Sequence, residues 1–427
     1  MKRLGNERGF VLVISLLILA LLIAAGLGAI VSTQTDLKIS SNIKTATQAF
    51  YIAEAGLHRA LRNLNKVNNW IGGLSDTSNA FSGENTLGSG TYVVQVFEND
   101  PTPGSVKTIS TGNITGTNSS STVEAVLTPQ FYPVLNYATF NCGNLELEGG
   151  VNDVISGGDV FVGGNIELES SNHIQNGNAF ATGKIEIKGA SGITGGNASA
   201  NGNIELDSSA VPNVGGNATA GGNISGAGTV TGTTSQNVSP DPVTDQCVGT
   251  NLANIAITSD VIQNFRSNAT TTINGNYDPG SNITLTGIVH ITGNFELSTA
   301  ATFSGNVVFI VDGNAEIAGS VTSNPPGSTV TFLVPTGNFE VEGGGNFTID
   351  GVLHVGTVDP DGSNRTGGNV EVDGGSSLTV NGSVIAVDGN TEADSGGGFT
   401  VNYQPPTDPN LIKPGTYTIT RWREVIT

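Results

Sequence analysis

Charge is scarce in this sequence, and positive charge is scarcest. Of 427 residues only 12% are charged, and 16 Lys and Arg stand against 36 Asp and Glu, a formal net charge of −20. Such a chain lacks the cations that neutralise phosphates, which excludes nucleic acid as a partner. It suits solubility outside the cell, or attraction of cations. Histidine is rare too. His58, His173, His290 and His354 show no metal-ligand spacing, and His290 and His354 alternate with apolar neighbours as outward positions of strands. No GxSxG, HExxH or Walker motif occurs. The chain therefore reads as a non-enzyme without an organic cofactor. The only two cysteines, Cys142 and Cys247, either pair in an oxidising compartment or stand as separate thiols.

Glycine is what the sequence has in excess: 60 residues. Each would cost a helix interior roughly 1 kcal/mol relative to Ala, whereas turn-dense β structure uses Gly wherever φ is positive. A hydrophobic content of 37% still builds a core. A chain of this length calls for two or three domains.

Residues 10–31, FVLVISLLILALLIAAGLGAIV, carry no charge. About 20 apolar residues cross a ~30 Å hydrocarbon core. Lys2, Arg3 and Arg8 precede them, which keeps the leader cytoplasmic and sends the remainder outward. The run is too long for the apolar region of a secretory signal peptide. Beyond it, Ile39, Ile43, Ala46, Phe50, Ala53, Leu57, Leu61 and Leu64 fall three or four apart and form one helical stripe. One long helix over 10–68 is expected, half in the membrane and half on a soluble head.

Arg8-Gly9-Phe10, the apolar run and QAFYIAEAGL at 48–57 resemble the PilX N-terminal domain of type IV pilus assembly proteins. The block Ala53–Gly56 is the most diagnostic part, and the resemblance ends near residue 65. It implies a leader at 1–9, cleavage after Gly9 by a prepilin peptidase, and N-methylation of Phe10. Partners would be other pilins and minor pilins, through the helix. The place would be the inner membrane of a Gram-negative-type bacterium, single-pass with a periplasmic C-terminal part, and then the pilus or cell surface. Major pilins carry Glu five residues after the cut, where this chain has Ile14. That departure resembles minor subunits, including a minor pseudopilin of type II secretion, and implies assembly priming or tip adhesion to host or glycan surfaces. A static periplasmic scaffold or binding protein on an uncleaved anchor is the alternative. A carbohydrate-active β-helix enzyme is a further one.

Residues 69–130 read as a pilin-like head. A Ser/Asn/Gly-rich loop at 74–90 precedes three Val/Ile/Thr-rich strands at 91–97, 106–111 and 122–127, an antiparallel meander.

From Gly143 onward, units of the form Gly-Asn-x-Glu-x recur. Those at Gly164, Gly183, Gly202 and Gly222 lie about 19, 19 and 20 residues apart, and a second series begins at Gly177, Gly196 and Gly216. Apolar residues alternate with charged ones within each unit, so one face points inward. This predicts a mainly β fold: a parallel β-helix, three-sided and right-handed, with coils over 137–228 and 283–402. A linker or insertion fills 229–282, and 403–427 caps the solenoid.

The Asn residues should stack in columns, Asn165, Asn203 and Asn223 in one and Asn178, Asn197 and Asn217 in another. Glu146, Glu167, Glu186 and Glu205 should form one outward column, and Glu296, Glu316, Glu340, Glu371 and Glu392 a second. Ca²⁺ bridging of these carboxylates is one reading; weak repulsion between exposed charges is the other. Near the C-terminus, Trp422 between Arg421 and Arg423 is a candidate partner contact.

Overall fold

The computed structural model describes residues 7–64, 86–98, 105–128, 137–148, 153–208, 213–320, 328–394, 396–405 and 418–425. The first six residues of the leader and most of the 74–90 loop lie outside them, as does 406–417. The chain forms two units, one comprising residues 1–129 and 414–427, the other 130–413.

The first unit is built on a 58-residue helix, Glu7–Leu64. Among the described residues nothing packs on its first half: Phe10, Leu12, Leu16 and Leu22 are each 65–68% exposed. Its second half buries Ala49, Ile52, Ala53, Leu57 and Ala60, a stripe at three- and four-residue steps. That stripe lies on the sheet, and the approach is close. A Cβ on Gly112 would stand 2.3 Å from the Ala49 carbonyl oxygen, and one on Gly56 2.4 Å from Ser110 Oγ. Ala53 and Gly56 of the AEAG block are small because the sheet sits directly against the helix there.

The sheet is antiparallel, with strands in the order Thr86–Leu87, Gly90–Glu98, Val106–Ile114, Ser120–Thr128 and Thr418–Val425. The middle three are the expected meander. The last corrects the reading of 403–427 as a solenoid cap. Residues 418–425 leave the solenoid altogether and pair with Ser120–Thr128. Their alternating TITRWREV pattern suits a strand with one face on the helix.

The second unit is a parallel β-solenoid. Its largest ladder stacks twelve rungs, a second ladder stacks ten, and a third is shorter. Most coils of the first half thus carry three short strands, such as Asp159–Val162, Ile166–Leu168 and His173–Gln175, where the sequence pattern revealed two. Inward positions alternate with outward ones and are fully buried. Ala179, Ala181, Ala198, Ala200, Ala218 and Ala220 fill the early coils, whereas Phe295, Phe309, Phe332 and Phe339 interlock in the late ones with ring centroids 5.1–5.5 Å apart.

The order of the rungs departs from chain order. The chain enters at Tyr137–Asn141 in the middle of the stack and winds outward to Thr234–Ser235 at one end. It then reappears at the opposite end, Thr271–Ile273, and winds back to Ser377–Ala386, which pairs in parallel with Tyr137–Asn141. Two more ladders close the same seam: Glu392 pairs with Glu146, and Val401 with Ile155. Asp153 at the seam accepts a hydrogen bond from Phe399 N–H at 2.6 Å. Coils 137–228 and 283–402 are therefore one solenoid, in the spatial order of late coils first.

The segment expected as a linker, 229–282, divides into three. Residues up to 235 complete the end rung, and those from 271 open the other end. Between them a strap crosses the whole stack. Its contacts follow in axial order: Val238 to Ala220, Val243 to Asn201, Cys247 to Cys142, Ile257 to His354, Arg266 to Asp312 and Thr270 to Ile288. Two helices, Gly249–Ile255 and Ser259–Ser267, lie within it. Beneath it the outward positions are apolar: Phe140, Phe161, Ile310, Leu333 and Ile385 pack on Val243, Leu252, Ile257, Ile262 and Phe265. The strap supplies a second core outside the solenoid wall.

Candidate functional site

Three features could carry function: the anchor helix, the acidic wall of the solenoid, and the strap with its underlying column.

Gly9 and Phe10 lie in the first turn and a half of the helix, and Phe10 is 68% exposed. Ile14 stands where a carboxylate was expected and is itself 41% exposed. The helix holds an 18-residue window of mean hydropathy 3.1, none of it buried, within Phe10–Arg62. By length and composition it can cross a membrane.

The two expected glutamate columns are one. Glu296, Glu316, Glu340, Glu371, Glu392, Glu146, Glu167, Glu186 and Glu205 pair successively across neighbouring rungs, straight through the seam. The permuted rung order is what joins them. Beside them runs an asparagine ladder in which each Oδ1 accepts the backbone N–H of the next rung. It passes from Asn276 through Asn294, Asn314, Asn338, Asn369, Asn390, Asn144 and Asn165 to the N–H of Lys184, at 2.9–3.1 Å. Asn338 and Asn369 also donate to Glu340 and Glu371 in their own coils. The Gly-Asn-x-Glu unit thus couples a turn amide to the carboxylate two residues on. The Asn178, Asn197 and Asn217 column bonds in the same way.

A second acidic row, Glu342, Asp373, Asp394, Glu148 and Glu169, stands two residues beyond the first. Like charges at rung spacing disfavour ionisation. Glu392, at the seam, is pushed up to about 7 by burial and by the charges of Asp394, Glu146 and Glu371. Sharing a hydrogen bond with Glu342 raises Glu316, and burial followed by Glu169 raises Glu148. Lys188 reverses this locally. It reaches Glu167, Glu169 at 2.6 Å and Glu186 at 2.9 Å, while Lys184 bonds Glu186, whose carboxyl is held below its usual range chiefly by that bond. Among the described residues no group of three or more His, Cys, Asp or Glu is arranged to hold a metal ion.

Cys142 and Cys247 form a disulfide that fastens the strap to the central rung. The histidines expected to face outward do so, but under the strap. His354 is fully buried and its Nε2 accepts the Ile257 N–H at 2.9 Å, so burial holds the ring neutral down to about 3. His290 meets Asp312, which also takes Arg266 of the strap. Trp422 packs edge-on against Phe50 of the helix and stays 44% exposed, while Arg423 pairs with Glu124 at 2.9 Å. Both therefore have partners within the first unit, while Arg421 is exposed on the same strand. The reading of 229–282 as a linker or insertion lacked the apolar outer column that the segment covers. Its signal was present in apolar runs such as NVVFIV and TVTFLV, which lack the alternation of a strand with a wet face.

The helix is thus long and apolar enough in its first half to cross a membrane, and packs on a sheet with its second half. Residues 8–58 match the PilX N-terminal family, so this segment is of PilX N-terminal type. The match leaves the solenoid unassigned. No curated protein matches the sequence. A solved structure, the competence-associated pilin ComZ from Thermus thermophilus, aligns over 89% of this chain and 97% of its own at 13% identity, with a TM-score of 0.39. That score is too low for the likeness to bear on function.

Proposed function

We propose that this protein is a minor type IV pilin-like subunit that displays its solenoid beyond the inner membrane, for surface contact or for priming filament assembly. One observation carries the reading: a PilX-type anchor with Ile14 in place of the acidic residue, fused to a solenoid far larger than the small sheet beside the helix. A carboxylate in lipid is costly and is retained where it does work. A subunit without it is suited to a rare position rather than to the repeating shaft. Other pilins would meet the exposed face of residues 10–31, and the peptidase would meet Gly9 and Phe10. The solenoid acts by binding, with no reaction assigned to it. A disulfide suits an oxidising compartment such as the periplasm.

Mass spectrometry of the mature N-terminus tests this. The expected species begins at N-methylated Phe10 and is found in sheared filament fractions in small amount. A chain retaining Met1 and confined to the inner membrane would support the static scaffold instead.

A further inference from the structure

The outward column beneath the strap is aromatic at one end. Phe140, Phe161 and Phe180 occupy successive rungs in register. Phe140 and Phe161 stack with centroids 5.2 Å apart, and Tyr137 tilts against both at 5.7 and 6.0 Å. The strap covers Phe140 and Phe161 but leaves Phe180 and Tyr137 half-buried. At this margin lies a cleft of about 170 Å³, with Tyr137, Phe161 and Phe180 as its floor and Pro242, Thr244 and Gln246 as its lip. It is smaller than the roughly 300–1,000 Å³ of a drug-sized site, so it holds one compact group.

The lip is fixed at both ends. Asn201 clamps Val243 by two hydrogen bonds, Nδ2 to the carbonyl oxygen at 2.9 Å and N–H to Oδ1 at 2.8 Å. The disulfide holds Cys247 immediately after Gln246. A cleft pinned in this way is formed before any ligand arrives and loses little freedom on binding.

Its electrostatics are one-sided. Every lining residue is uncharged. Asp159 stands beside Tyr137 in register, and its charge, after burial, helps to raise the Tyr137 hydroxyl above its ordinary range. Asp241 and Asp245 flank the lip, and among the described residues none of these three carboxylates forms an ion pair. Ring faces attract cations through their quadrupole, and more strongly when the cation sheds water easily. A neutral sugar would need several hydrogen bonds, and beside the Tyr137 hydroxyl the lining side chains offer only Thr244 and a Gln246 amide already directed at the Thr244 carbonyl at 3.3 Å.

We infer that this cleft is a binding site for a quaternary or methylated ammonium group, seated on Tyr137 and Phe180 above the buried Phe161 and drawn in by Asp159, Asp241 and Asp245. The inference gives a ligand class to the displayed solenoid and rests on that reading for its biological meaning. The binding measurement does not depend on filament incorporation, so the two fail separately.

The test uses the full chain in a polyoxyethylene detergent, free of sugar and ammonium groups. Saturation-transfer NMR is recorded with tetramethylammonium, choline, its neutral isostere 3,3-dimethylbutan-1-ol, and methyl glycosides of glucose and galactose. Transfer to the ammonium methyl protons is expected, with the neutral isostere about tenfold weaker. Phe180→Leu, which keeps apolar volume but removes the ring, should weaken choline at least fivefold, and Asp159→Asn should weaken it severalfold. Equal binding of choline and the isostere would reduce the cleft to a plain apolar hole and overturn the inference. So would transfer to the glycosides alone, or to no probe. The comparison of choline with its isostere needs no variant, so a poorly folded Phe180→Leu protein would not rescue the idea.

Discussion

Replacing Glu392 by Gln should stabilise the solenoid at alkaline pH, although it removes a charge from the outer wall of the solenoid. Glu392 sits at the seam, where burial first, and then the charges of Asp394, Glu146 and Glu371, lift its carboxyl from an ordinary 4.5 to about 7. The folded state therefore holds a proton that the unfolded chain has released anywhere between those values. Its contribution is fully present below about pH 4.5 and is lost as pH rises through about 7. A dry group with this shift would account for about 3 kcal/mol, at 1.36 kcal/mol per unit. The carboxyl lies on the solvent side of its strand, and screening reduces the effect to about 1 kcal/mol. In a unit of this size that is about 2 °C in Tm. Two other buried groups also titrate. Asp153, raised by burial to about 6, acts in the same direction. His354, held neutral by burial, acts in the opposite one, losing stability as pH falls below about 6.5. Both are present in each protein, so the difference between variant and wild type cancels them. Thermal unfolding followed by circular dichroism at pH 5 and pH 8 should show the Gln variant about 2 °C more stable at pH 8 and unchanged at pH 5. A variant that is less stable at pH 8, or equally shifted at both, would refute the argument.

Opening the disulfide with Cys142→Ala and Cys247→Ala together releases a loop of 105 residues; the loss should be about 3–5 kcal/mol by loop entropy, with hydrogen exchange accelerating first in 236–270. His354→Ala removes the acceptor of the Ile257 N–H and leaves a cavity under the strap; chemical denaturation should show a loss of about 2–4 kcal/mol. Gly112→Val forces a side chain into the Ala49 carbonyl and should destabilise the helix-on-sheet unit by more than about 2 kcal/mol while leaving the solenoid's transition in place. Asn390→Leu strips the acceptor from the Asn144 N–H across the seam; about 1 kcal/mol should be lost, read as a lower urea midpoint.

The period of the Gly-Asn-x-Glu unit was enough to read the solenoid, because alternation within each unit assigns its two faces. It also identified both sets of glutamates. It did not reveal that they form one ladder, because Glu392 and Glu146 lie at opposite ends of the repeat in sequence and every rung presents the same kind of edge. Nothing in a repeat says which of its rungs meets which. The anchor was legible for a different reason: an uncharged run and a stripe at helical spacing are local patterns. The aromatic cleft was not legible, since it needs both the column Phe161–Phe180 and a strap arriving from Pro242. The return of 418–425 was missed because Trp422 and its arginines look like an exposed tail until Phe50 and Glu124 are placed beside them.

The rung order also fixes when this fold can finish. While the chain is being made, the rungs from Tyr137–Asn141 to Thr234–Ser235 can stack on one another as soon as they emerge. Their innermost rung, Tyr137–Asn141, keeps one parallel edge bare until Ser377–Ala386 arrives. Contacts such as Asn144 to Asn390 span 246 residues, and pairing at that separation closes slowly. The half-made molecule carries an open strand edge, the feature most prone to joining the wrong neighbour. The first unit waits as well, for Thr418–Val425. The solenoid cannot close before residues 377–402 are made, nor the sheet before 418–425, so a copy truncated ahead of them would lack a closed seam and a finished sheet together.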